Sequence, residues 1–154
     1  MTIEDDIAFF ERVPTLNLLG RAALRILAIG VESRYVHSGE VLFRAGDEAD
    51  CGFVIQEGSF RLATTASANG RSVTVGPGTL LGELALLTVT RRPVTATALE
   101  PSTVLCIPRP LFMKMLEGYP DAAQRLRELL AQRIEESARE IESLRVAFDA
   151  QEKE

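Results

Sequence analysis

The chain has 154 residues, 46% of them apolar and 25% charged, with a formal net charge of −5, which suits one globular domain with an ordinary core. An acidic chain without a basic block lacks the clustered Lys and Arg of a nucleic-acid surface, and no apolar run reaches the roughly 18 residues that span a bilayer. One histidine, His37, and two cysteines, Cys51 and Cys106, supply too few groups for a zinc centre, an iron–sulfur cluster or a histidine-based triad.

The chain reads as helix, then strands, then helix. The start, Met1-Thr2-Ile3-Glu4-Asp5-Asp6, is acidic where a secretion signal is basic, so a cytoplasmic location is expected. Ile7, Phe9, Phe10 and Val13 recur at helical spacing and stop at Pro14, and a second helical pattern runs from Leu16 to Leu27. From about Tyr35 to Ile107 short β-prone runs alternate with glycine punctuation. Glu40-Val41-Leu42-Phe43 precedes Gly46-Asp47, Gly52-Phe53-Val54-Ile55 precedes Glu57-Gly58, and Ser72-Val73-Thr74-Val75 precedes Gly76-Pro77-Gly78. That texture predicts an antiparallel barrel or sandwich of about eight strands, and Asn69-Gly70 is a type I′ hairpin signal. Cys106, in Val104-Leu105-Cys106-Ile107, reads as a buried small hydrophobe. Cys51 follows Asp47-Glu48-Ala49-Asp50, which predicts partial exposure and a disfavoured thiolate.

After Pro120 there is neither Gly nor Pro, and helix formers dominate. Leu130, Ile134, Ile141, Leu144 and Phe148 fall at a/d spacing, with Ser137 at the intervening d position and Glu135–Arg139 as a supportive pair. Leu126 to Phe148 is about 34 Å of helix. It either lies along its own domain or forms a two-helix seam between protomers.

The informative stretch is Gly82-Glu83-Leu84-Ala85-Leu86-Leu87, followed by Arg91-Arg92-Pro93-Val94-Thr95. A Gly-Glu opening can start a short helical turn whose backbone N–H groups face an anion. Arg92 can pair with that anion through its planar fork, and Glu83 can accept from sugar hydroxyls. Phosphate plus ribose suits this set, although a Glu and an Arg at such spacing can also form a plain ion pair with each other.

This segment resembles the phosphate-binding cassette of cyclic-nucleotide-binding domains, the family of protein kinase A regulatory subunits, the catabolite activator protein and cyclic-nucleotide-gated channels. Gly39-Glu40-Val41-Leu42-Phe43-Arg44-Ala45-Gly46-Asp47 and Phe53-Val54-Ile55-Gln56-Glu57-Gly58 resemble its two barrel glycine motifs, and Phe9-Phe10-Glu11-Arg12-Val13-Pro14 its N-terminal helical segment. The resemblance implies an α+β fold: an antiparallel, jelly-roll-like β-roll flanked by N-terminal helices and a long C-terminal helix. The chain then divides into helices over 1–34, the β-roll over 35–109 with the cassette at 82–95, and C-terminal helices over 110–154, all in one domain. A ligand is implied, cyclic AMP or cyclic GMP, with no metal or cofactor.

Roles follow from the same resemblance. Arg92 takes the phosphate-pairing position and Glu83 that of the carboxylate on the ribose 2′-hydroxyl. The amides near Gly82, Leu84 and Ala85 are backbone donors, and Thr95 is a small hydroxyl. Arg133 falls where an arginine borders the pocket, and Ser137 where a dimer-helix threonine contacts adenine. Pro93 departs from the pattern, since the family usually has Ala, Ser or Thr there and proline has no N–H to give the phosphate. The chain stops at Glu154, leaving no residues for the helix-turn-helix module of the family's transcription factors, so its output would pass to another protein. Two functions stay open: a homodimeric nucleotide sensor, or a dimerisation and interaction module that has lost the nucleotide. No enzyme is expected, and neither a nucleic acid nor a membrane is an expected partner.

Overall fold

The computed structural model describes residues 2–64 and 72–133. Helix α1 spans Ile3–Phe10 and opens on a capping box in which the Thr2 hydroxyl accepts from the Asp5 amide and the Asp5 carboxylate accepts from the Thr2 amide. A 3-10 turn at Leu16–Leu18 leads to α2, Arg21–Gly30. Ten short strands follow: β1 Glu32–Val36, β2 Val41–Phe43, β3 Glu48–Ala49, β4 Cys51–Glu57, β5 Phe60–Ala63, β6 Ser72–Val75, β7 Leu80–Leu81, β8 Thr90–Arg91, β9 Thr95–Ala98 and β10 Ser102–Pro108. Helix α3, Arg109–Gly118, and a helix α4 over 120–133 complete the described chain.

The strands form two four-stranded antiparallel sheets, ordered β1-β10-β4-β7 and β2-β9-β5-β6, with β3 and β8 as a separate pair. This is an α+β fold built around an antiparallel β-roll, as expected. The first strand starts at Glu32, three residues before the predicted boundary, because β1 lies at the edge of its sheet and pairs with β10 although its side chains are mostly exposed. Strands β5 and β6 pair with Ala63 opposite Ser72; the Asn69-Gly70 turn signal lies outside the described residues.

Side-chain alternation divides the apolar residues into two cores. Cys51, Phe53 and Ile55 of β4 and Val104 of β10 point between the sheets and meet Phe43, Phe60 and Leu81. Val54 of β4 and Leu105 and Ile107 of β10 point the other way and pack against Ile7, Phe10, Leu24, Leu27, Phe112 and Met115 of the helices. Because both faces of β4 are covered, its sequence is apolar almost throughout. The turn at Gly58 (φ +93°) presses on the roll: a Cβ there would sit 2.0 Å from Ser102 Oγ.

Ala122 and Leu126 of α4 are buried in the helical core, and Leu130 packs against it. The first turns of the last helix therefore lie along their own domain. Ile134, Ile141, Leu144, Phe148 and the Glu135–Arg139 pair lie outside the described residues.

Candidate functional site

The cassette hangs between β7 and β9. Gly82 adopts φ +83°, a conformation that suits a residue without a side chain, and turns the chain from β7 into a 3-10 helix at Leu84–Leu86. Within that turn the Ala85 amide donates to the Gly82 carbonyl at 3.1 Å. Ala85 and Leu86 are buried while Leu84 stays exposed, so the turn is pinned by its inner face. Arg109, at the start of α3, fixes it from below: its Nε donates to the Ala85 carbonyl at 2.8 Å and its Nη2 to the Ala49 carbonyl.

Arg92 follows β8 and turns inward. It is only 5% exposed, unusual for a residue that is almost never fully buried unless paired. Its backbone is held on both sides, the amide donating to the Asp47 carbonyl and the carbonyl accepting from the Gly46 amide, each at 2.8 Å. The guanidinium carbon lies 4.5 Å from the centre of the Phe43 ring and 5.3 Å from that of Phe53, contacts worth up to about 2 kcal/mol when desolvated. One nitrogen, Nη2, donates to the Cys51 carbonyl at 2.8 Å. The other, Nη1, is buried and has no hydrogen-bond partner among the described residues. Among the described residues Arg92 forms no ion pair, with Glu83 or with any other carboxylate.

Two neighbours of that charge bring no countercharge. Gly82 has no side chain, and a Cβ there would stand 2.4 Å from Nη1 and 3.2 Å from the Cys51 carbonyl oxygen. The Cys51 sulfur, 3.5 Å from Nη2, stays a neutral thiol: its hydrogen bond with Cys106, then burial, push its pKa well above the ordinary range, while the same bond lowers that of Cys106. Cys51 is thus no anion for Arg92. The two cysteines also exchange the exposures expected from sequence. Cys51 is buried and Cys106 half-buried, because Cys51 opens β4 on the face between the sheets.

Glu83 finds other partners. Its Oε2 accepts from the Thr15 hydroxyl at 2.6 Å, and its Oε1 pairs with Arg133 Nη1 from α4. Arg133 Nη2 also donates to the Thr15 hydroxyl at 3.2 Å. Thr95 lies on β9, where its hydroxyl accepts from the Ala45 amide at 2.9 Å and so ties down the β2–β3 loop. Arg91 is exposed and donates to the Gly46 carbonyl at 2.9 Å.

A cavity of about 330 Å³ opens over these groups, within the size range of small-ligand sites. Phe43, Leu62, Leu81 and Val94 supply apolar wall, and Gly82, Glu83, Leu84, Ala85, Arg92 and Pro93 line the cassette side. Of the residues singled out from sequence, all six of these border the cavity. Thr95 stands one residue behind it and Arg133 reaches it through Glu83. Ser137 lies outside the described residues. Sequence reasoning passed over Thr15, the Phe43 and Phe53 rings, the Cys51 carbonyl and Arg109. Phe43 and Phe53 stand inside the glycine motifs, but nothing in the local sequence marks Thr15 as a partner of a residue 68 positions away.

Residues 33–119 match the family model of the cyclic nucleotide-binding domain. The chain belongs to that family. Over 120 residues, 77% of this chain, it is 31% identical to the lysophospholipase NTE1 of Chaetomium globosum, and it spans only 8% of that protein's length. It is also similar to a cyclic nucleotide-binding-like protein from Brucella abortus, with 35% identity and a TM-score of 0.65 over 73% of this chain and 98% of that one. The N-terminal domain of a transcriptional regulator from Streptomyces coelicolor A3(2) is 28% identical, with a TM-score of 0.77 over 86% of this chain and 94% of its own. The overlap with the lysophospholipase is thus with a small part of a much longer protein.

The close approach of Gly82 to Arg92 makes a direct prediction. Gly82→Ala should destabilise the domain by about 1–3 kcal/mol through overpacking and a positive φ. In an Arg92→Ala background the loss should shrink by about 1 kcal/mol or more, since the nearest clash is gone. Urea unfolding of the four proteins measures that coupling; strictly additive losses would show that Gly82 and Arg92 do not meet.

Proposed function

We propose that this domain is a regulatory cyclic-nucleotide sensor, binding cyclic AMP or cyclic GMP with the cyclic phosphate on Arg92 and the ribose on Glu83. The observation that carries this reading is the buried, unpartnered Nη1 of Arg92. A buried charged donor without an acceptor costs several kcal/mol, and a phosphate oxygen placed there regains it through a short, charge-assisted bond. The apolar wall of the cavity suits a purine, and the few polar groups converge on one side as ligand sites require. Family membership supports the same ligand class.

Output would run through the last helix. Arg133 joins α4 to Glu83, so a ligand that engages Glu83 acts on a residue the helix already holds. Further along, Ser137 would face the base and Ile134, Ile141, Leu144 and Phe148 would form a parallel homodimer seam, from which a partner protein reads the signal. The groups here are those of a binding domain rather than an enzyme, and a cytoplasmic setting suits a free cyclic nucleotide.

A second reading has one observation in its favour. Pro93 borders the cavity and offers no N–H, a loss of about 1.5–3 kcal/mol if that amide would bond a charged phosphate. In that case the domain is a dimerisation and protein-interaction module that no longer binds nucleotide.

Calorimetric titration separates the two. The wild type should bind cyclic AMP or cyclic GMP, Arg92→Ala should bind at least about tenfold more weakly, and Arg91→Ala should change little. Pro93→Ala restores an N–H and should strengthen binding. If wild type fails at millimolar ligand and Pro93→Ala binds, the sensor is disabled at one atom; if both fail, the interaction module stands. Assembly has its own test. Sedimentation should find a wild-type dimer that Ile141→Glu combined with Leu144→Glu dissociates, and a wild-type monomer would contradict the seam.

A further inference from the structure

Thr15 is the one non-glycine residue with positive φ among the described residues, at φ 78° and ψ −52°. Those angles belong to the rare form of γ-turn, and a β-branched residue held there is strained by roughly 1–3 kcal/mol. It is also one of three polar or charged residues buried in the described chain, at 4% exposure. A strained, buried threonine in a turn after a proline needs a compensating contact, and the structure supplies two.

The Thr15 hydroxyl donates to Glu83 Oε2 at 2.6 Å and accepts from Arg133 Nη2 at 3.2 Å, which uses its single donor and one of its two acceptor positions. Arg133 takes the other Glu83 oxygen. Three segments meet on one carboxylate: the turn before Leu16–Leu18, the cassette, and α4. Each Glu83 oxygen accepts from one of these residues, so each keeps a lone pair, because a carboxylate accepts about four hydrogen bonds. The Glu83 side chain remains 25% exposed, so those lone pairs can face a ligand.

We propose that Thr15 is a positioning residue for the nucleotide site: it fixes the Glu83 carboxylate in the rotamer that accepts a ribose 2′-hydroxyl, and so sets selectivity for a ribonucleotide. The inference rests on the cyclic-nucleotide reading and adds to it a residue from the N-terminal helical segment. Thr15 needs no contact with the ligand. Its backbone strain is tolerated because the side chain is held at both ends, which ties the path of the N-terminal segment to the geometry of the sugar site.

The test measures affinities for cyclic AMP and for 2′-deoxy cyclic AMP, which lacks only the hydroxyl that Glu83 would bind. Wild type should prefer the ribose form by at least about tenfold. Thr15→Val, near in shape but without the hydroxyl, should narrow that preference to threefold or less while altering 2′-deoxy affinity by no more than about twofold. Thr15→Ser, which keeps the hydroxyl, should retain the preference. Thr15→Gly, which accepts the positive φ without strain, should behave like Thr15→Val and serves where the valine variant does not fold. A general structural role would weaken both ligands together. If wild type prefers the ribose form and the valine and glycine variants keep that preference, the Thr15 assignment is overturned and the nucleotide reading survives. If wild type binds neither ligand, or both equally well, the Glu83–ribose reading fails and this assignment with it.

Discussion

The buried guanidinium of Arg92 is the constraint from which the rest of the site follows. A cation at 5% exposure needs compensation, and here it is only partial: two aromatic faces and one carbonyl, with Nη1 left over. Each neighbour suits that arrangement. Gly82 lets Nη1 pack where a side chain would collide with it. Cys51, hydrogen-bonded to Cys106 and buried, stays protonated and brings no countercharge. Glu83, the carboxylate nearest in the cassette sequence, is drawn to Thr15 and Arg133 instead. The result is a fixed positive group whose natural complement is an anion from outside the fold.

The β-roll supplies the rigidity that such a site requires. Strand β4 separates two cores, one between the sheets and one beneath the helices, and the carbonyl that holds Arg92 stands at its first residue. Arg109, at the junction of β10 and α3, ties the 3-10 turn to the β3 strand through two carbonyls. The cassette is thereby anchored at both ends to elements whose own positions are set by packing. The helices reach it through Arg109 of α3, through Leu86 in the helical core and through the Thr15–Glu83–Arg133 cluster. A change at the carboxylate therefore has a short path to α4.

Much of this was legible in the sequence, and the reasons for the remainder are physical. Short β-prone runs with glycine between them announce an antiparallel roll, and the order of the glycine motifs and cassette names the family. The start of β1 was hidden because Glu32-Ser33-Arg34-Tyr35 carries no inward face; its pairing with β10 is decided by the sheet edge it completes. The two-residue strands β3 and β8 were hidden for a similar reason, since tertiary proximity alone pairs them. The acidic neighbours of Cys51 suggest surface, whereas its place at the start of β4 turns it inward. Glu83 and Arg92 could be read as mutual partners from spacing alone. Only the fold shows that an arginine on α4 and a strained threonine near the start of the chain claim the glutamate.

Whether Arg92 is a preformed seat for a phosphate is measured most directly by comparing wild-type affinities for cyclic AMP and for adenosine, which keeps the base and ribose but lacks the phosphate. A charge-assisted bond to a buried cation is worth about 1.5–3 kcal/mol. Cyclic AMP should therefore bind at least about tenfold more tightly than adenosine. Equal affinities for the two would show that the unpartnered nitrogen of Arg92 is not a phosphate site, and would contradict the account at its foundation.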